Sequence, residues 1–257
     1  MPASELRRLA LSLVLRLVVV VAAVGVALGV SPSLHASSKS TCGSSGYTYA
    51  GVFGTDRAAG VGATLTALSP PEVVGGHVAA WVGVGGQGEG PNGSDEWIQV
   101  GLSAFPGTGA SSLYYEVARP GATPSYHELE TGIAPGTVRR VLVSEVNGRP
   151  GVWRVWVNGR PVTEPIFLPG SHRAWVPVAT AESWGGGGEA VCNGYRYQFD
   201  RVRVVRQAGA GWLKLASGTT FQDPGYRVLV KGAGSFFASR AETGSTQPVR
   251  QTFGVSR

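Results

Sequence analysis

The feature that most constrains this chain is its punctuation. From His77 to Val205, apolar and β-branched stretches of strand length are closed in turn by clusters of Gly, Pro, Asn and Ser, the pattern of short strands joined by tight turns. The clearest unit is Val138–Val146 with Val152–Val157, joined by Asn147-Gly148-Arg149-Pro150-Gly151. These turn residues tolerate positive φ or fix φ in advance. Trp153, Val155 and Val157 fall on one face of the second strand, Arg154 and Trp156 on the other. His77–Val84, Glu96–Phe105, Ser112–Arg119, Val176–Glu182 and Tyr195–Val205 read as further strands. No sustained helical period appears beyond the N-terminus. A chain of 257 residues with 39 glycines, 16 prolines and only 15% charged residues fits this reading. The prediction is an all-β fold, a two-sheet antiparallel β-sandwich of the jelly-roll or concanavalin A-like kind.

The flanks read differently. Arg7 and Arg8 precede an apolar run from Leu9 to Val30 that is broken by Arg16, a charged segment followed by a hydrophobic one. Residues 1–38 are therefore expected to be a signal peptide, cleaved after Ser38 or after Ala36, which makes the protein secreted. The alternative is an uncleaved signal anchor, which would leave the protein membrane-anchored and facing outward. Residues 39–76, rich in Gly, Ser and Pro, read as an N-terminal extension of a sandwich at 77–206, with a strand-like piece at Tyr47–Phe53. Residues 207–257 read as a C-terminal extension, with edge strands at Trp212–Leu215 and Tyr226–Val230 and a polar tail from Ala241. The two cysteines, Cys42 and Cys192, are expected to pair as a disulfide in an oxidising compartment. The rival reading is two unpaired thiols.

Several function classes are set aside. The formal net charge of +6 is spread along strand-like segments without a basic run or a nucleic-acid motif, so no nucleic-acid partner is expected. Gly83-Val84-Gly85-Gly86-Gln87-Gly88 matches a dinucleotide fingerprint in form, but Pro91 and the Gly-rich continuation deny it the following helix. There is no G-x-S-x-G and no H-E-x-x-H. His35, His77, His127 and His172 are isolated in sequence, and no metal site or cofactor is expected.

What remains is an ordered set of strand-borne polar residues. Ala80-Trp81-Val82-Gly83-Val84-Gly85-Gly86 precedes Trp97-Ile98-Gln99-Val100-Gly101, then Leu113-Tyr114-Tyr115-Glu116, and later Ala181-Glu182-Ser183-Trp184. Over about residues 77–205 this order resembles the glutamic peptidases, the eqolisins, in which A-W-V-G-I-D-G, L-Q-T-G, Y-E-W-Y-P and A-E-W follow one another. The resemblance implies Gln99 and Glu182 as the catalytic pair, with Trp81, Trp97, Tyr115 and Glu116 toward the substrate. In that family the glutamate is general base and then general acid, and the glutamine positions water and donates to the oxyanion. Strand alternation puts Gln99 and Trp97 on one face, with Ile98 and Val100 turned to the core.

This chain departs from the pattern at Gly85, where the family has aspartate, and at Val117 to Arg119, where it has aromatics. Anchoring on Trp175 would put Ala174 in place of Glu182. The function implied is a secreted endopeptidase that hydrolyses peptide bonds at acidic pH, with a peptide or protein as substrate. The alternative is a non-catalytic secreted or cell-surface sandwich that binds peptide or carbohydrate. A monomer is expected in either case.

Overall fold

The computed structural model describes residues 46–187 and 192–240, and the backbone of 249–253. In chain order the strands are β1 (Tyr47–Gly54), β2 (Gly60–Ala67), β3 (His77–Gly86), β4 (Glu96–Ala104), β5 (Ser111–Ala118) and β6 (Ser125–Ile133). The hairpin β7 (Val138–Glu145) and β8 (Val152–Val157) leads to β9 (Arg160–Pro161) and β10 (Ile166–Phe167), then to β11 (Pro177–Trp184) and β12 (Arg196–Val205). Last come β13 (Leu213–Lys214), β14 (Gly218–Gln222), β15 (Tyr226–Gly232), β16 (Ser235–Arg240) and β17 (Val249–Phe253).

They form the two-sheet antiparallel sandwich that the punctuation predicts. One sheet runs β17-β14-β1-β11-β3-β4-β5-β6, the other β10-β8-β7-β2-β12-β16-β15, with β9 on β8 and β13 on β12. Period-two alternation supplies the core between them. Val78, Ala80, Val82 and Val84 of β3 and Ile98, Val100 and Leu102 of β4 are buried. They share one cluster with Leu65 of β2, Val143 of β7, Trp153 and Val155 of β8, and Phe199 of β12. The β7–β8 turn has Gly148 and Gly151 at φ 73° and 72°, conformations that side-chain-bearing residues rarely adopt. The Gly83–Gly88 stretch ends β3 and turns into a short 3₁₀ segment at Pro91–Gly93, with no helix to receive a pyrophosphate.

The segments that flank residues 77–206 contribute strands to both sheets. From the 39–76 segment, β1 lies between β11 and β14, and β2 between β7 and β12, inside both sheets. From the 207–257 segment, β14 pairs with β1 and β16 with β12. Both flanks are therefore structural members of the sandwich, because interior strands need partners on both edges. Residues 1–38 and Cys42 lie outside the described residues, and with them the signal segment and the Cys42–Cys192 pairing.

Candidate active site

The outer face of the β1-β11-β3-β4-β5 block gathers the polar residues. Trp81 of β3, Trp97 and Gln99 of β4, Tyr114 and Glu116 of β5, and Glu182 of β11 alternate with core residues and so turn away from the core. Gln99 pairs across the ladder with Glu116 on one side and Gly83 on the other. Glu182 pairs with Ala79 of β3 and Tyr49 of β1. Small residues at these crossings leave room for the large ones. A Cβ at Gly101, opposite Trp81, would sit 2.0 Å from the Ala80 carbonyl oxygen and 2.7 Å from the Trp81 Cβ. A Cβ at Gly83 would sit 2.8 Å from that of Gln99.

The outer face is consequently walled by long side chains. Gln99 is only 8% exposed and Glu182 only 6%, although both sit on the face that in a half-solvated sheet would meet water. Tyr47, Tyr49, His77, Trp81, Trp97, Gln99, Glu116 and Glu182 line one cavity of about 250 Å³. Gly85, Gly86 and Gln87 also border a second cavity of about 780 Å³. Phe53, Phe221, Val178, Trp175 and Arg57 lie along it.

Each functional side chain is held. The Trp81 indole Nε1 donates to Glu182 Oε2 at 2.8 Å, and His77 Nε2 lies 3.4 Å from Glu182 Oε1. Trp97 Nε1 donates to Glu116 Oε1 at 2.9 Å. Gln99 Nε2 donates to the Tyr114 hydroxyl at 3.2 Å. Burial pushes the Glu116 carboxyl up from its ordinary value; the Trp97 hydrogen bond opposes this, the Glu182 charge adds to it, and His77 opposes it. Burial, with the Glu182 and Glu116 charges, pushes the Tyr47 phenol up to about 12, and it raises Tyr49 and Tyr114 as well. These phenols therefore stay neutral hydrogen-bond donors across the working range of most enzymes. A buried carboxylate, a neutral amide and a second carboxyl with a raised pKa thus meet in one cavity.

The sequence-predicted residues are brought together with one exception. Tyr115 is placed on the opposite face, packed against the core cluster and stacked on His127 with ring centroids 4.5 Å apart. Adjacent strand residues face opposite ways, so Glu116 and Tyr115 cannot share a groove. Tyr114 stands there instead. Sequence reasoning missed Tyr114, His77, Tyr47 and Tyr49. Two-residue spacing signals Tyr114 from Glu116 and His77 from Trp81; the β1–β11 pairing that brings in the tyrosines carries no local signal.

No protein-family model matches the chain, and neither does the sequence of any curated protein. Solved structures do match its fold. The chain is similar to scytalido-glutamic peptidase in complex with a peptide-based transition-state analogue, at 15% identity and a TM-score of 0.51, over 76% of this chain and 98% of that one. It also matches SCP-B, a member of the eqolisin family solved with the tripeptide Ala-Ile-His, at 13% identity and a TM-score of 0.47 over the same shares.

Proposed function

We propose that this protein is a glutamic endopeptidase in which Gln99 and Glu182 activate water against a peptide bond at acidic pH. The observation that carries this reading is that both side chains, borne on strands far apart in sequence, open on one small cavity, where Trp81 holds the Glu182 carboxylate. A water between them loses a proton to Glu182 as its oxygen attacks the peptide carbonyl carbon. The carbonyl electrons move onto oxygen, and the Gln99 Nε2–H donates to that oxyanion. Collapse of the tetrahedral species breaks the C–N bond, and the proton on Glu182 passes to the leaving amine. The amide suits its place because it neither titrates nor repels the carboxylate. Glu116, directly across the ladder from Gln99, stays protonated further up the pH scale and spares the cavity a second negative charge at acidic pH. The adjoining cavity, with Phe53, Phe221 and Val178 on its walls, fits apolar side chains of an extended substrate.

The test uses protein lacking residues 1–38 and an unfolded protein substrate. Cleavage at acidic pH, falling by ~10²–10³ in kcat in Gln99→Ala, is the expected result. A folded protein that stays inert from about pH 2 to 7 but binds peptide or glycan would decide for a binding module, whose face the aromatic side chains would serve equally well. Export and the Cys42–Cys192 bond belong to the same proposal. Intact mass before and after reduction with alkylation reads both, and a chain that retains Met1 would contradict cleavage.

A further inference from the structure

Among the described residues, neither Glu182 nor Glu116 forms an ion pair with arginine or lysine. The basic side chain within reach is His77. It starts β3 directly opposite Trp184, and the next outward residue of β3, Ala79, is opposite Glu182, so the ring meets the carboxylate along the diagonal of the ladder. Nε2 lies 3.4 Å from Oε1, with side-chain exposures of 19% and 8%. Solvent and salt therefore screen the pair far less than one on the surface. Three aromatic rings surround the imidazole: Tyr47 at 5.7 Å, Trp184 at 5.5 Å and Phe105 at 5.9 Å between centroids.

We propose that His77 is a positioning residue for the reaction assigned to Glu182, paired with it as imidazolium and carboxylate across the β3–β11 ladder. The proposal rests on Glu182 being the base. Oε2 is taken by Trp81 and Oε1 is steadied by His77, so the carboxylate keeps one orientation with lone pairs left toward the cavity. The imidazolium also compensates a charge that burial would otherwise disfavour. Trp81 on β3, Tyr47 and Tyr49 on β1 and Glu116 on β5 line the same cavity as the ring. The phenols carry no charge in the acid range, and Glu116, raised chiefly by burial, holds its proton further up the pH scale.

The test is reciprocal and needs no turnover. In NMR titrations with the His77 ring and the Glu182 carboxyl carbon observed, Glu182→Gln should move the midpoint of the His77 ring signals to lower pH. His77→Gln should move the Glu182 carboxyl midpoint to higher pH by a similar amount, since coupling is the same from either side. Either variant alone suffices if the other does not fold. Midpoints that stay where they are in the wild type overturn the pair. With turnover, His77→Gln should also shift the acid limb of the kcat/KM profile upward, which a merely packing ring would not do. Reciprocal shifts in a protein without turnover would uphold the pair and overturn the peptidase reading; turnover with unmoved midpoints would do the reverse.

Discussion

At the scale of single residues, the site depends as much on glycine as on its polar groups. Trp81 reaches Glu182 because its ladder partner, Gly101, has no side chain to oppose it. In Gly101→Ala the new methyl meets backbone at 2.0 Å, so strand or indole must move, at an expected cost of about 1–3 kcal/mol. Chemical denaturation measures this, and a loss well under 1 kcal/mol would show the contact to be soft. Residue-level reading of the sequence went as far as parity allowed. Gln99, Trp97 and Trp81 fall on the outer face as alternation implies, while Tyr115 was picked by its likeness to a motif and parity turns it inward. His77 was passed over because it stands alone in sequence, and its partner Glu182 is brought close only by the β3–β11 ladder.

At the scale of elements, local pattern revealed the strands between His77 and Val205 to within a residue or two, with β6 and the two-residue β9 and β10 the exceptions. Ser125–Ile133 carries six exposed positions among nine, an edge strand whose polar face hides the alternation. β2, Gly60–Ala67, reads GVGATLTA; small residues fill it because both its faces are crowded, and they blur the strand signal. Pairing was the least legible of all. β1 joins β11 and β14, so both ends of the described chain meet in one sheet, a contact that no local window contains. Cutting the chain after Arg206 would remove β14, β15 and β16 and leave β1 and β12 with open edges. Such a truncation should be insoluble or lack a cooperative unfolding transition by circular dichroism. A soluble, cooperatively folding truncation would return these strands to the status of an extension.

At the scale of the whole molecule, the sandwich places two carboxyls where ionisation is costly. Glu96 is fully buried, with the Gly170 amide donating to it at 3.0 Å; burial raises its pKa from the ordinary 4.5 and that hydrogen bond opposes the rise. Glu116 is raised chiefly by burial as well. A carboxyl that holds its proton more tightly folded than unfolded contributes stability at low pH, and this is lost as pH rises from the unfolded value toward the folded one. Glu96→Gln removes the titration, so its stability relative to wild type should improve as pH rises above the ordinary carboxylate value of 4.5. A difference in unfolding free energy that is constant with pH would contradict the burial argument. Such a fold tolerates acid at Glu96 and at Glu116, of which Glu116 lines the cavity, in keeping with the proposed chemistry of a glutamate and an amide. The most direct measurement is kcat/KM on an unfolded protein at acidic pH for wild type and Glu182→Gln, both checked for native circular dichroism. Glu182 acting as the base predicts a fall of ~10²-fold or more. Equal activity in the two proteins would contradict it.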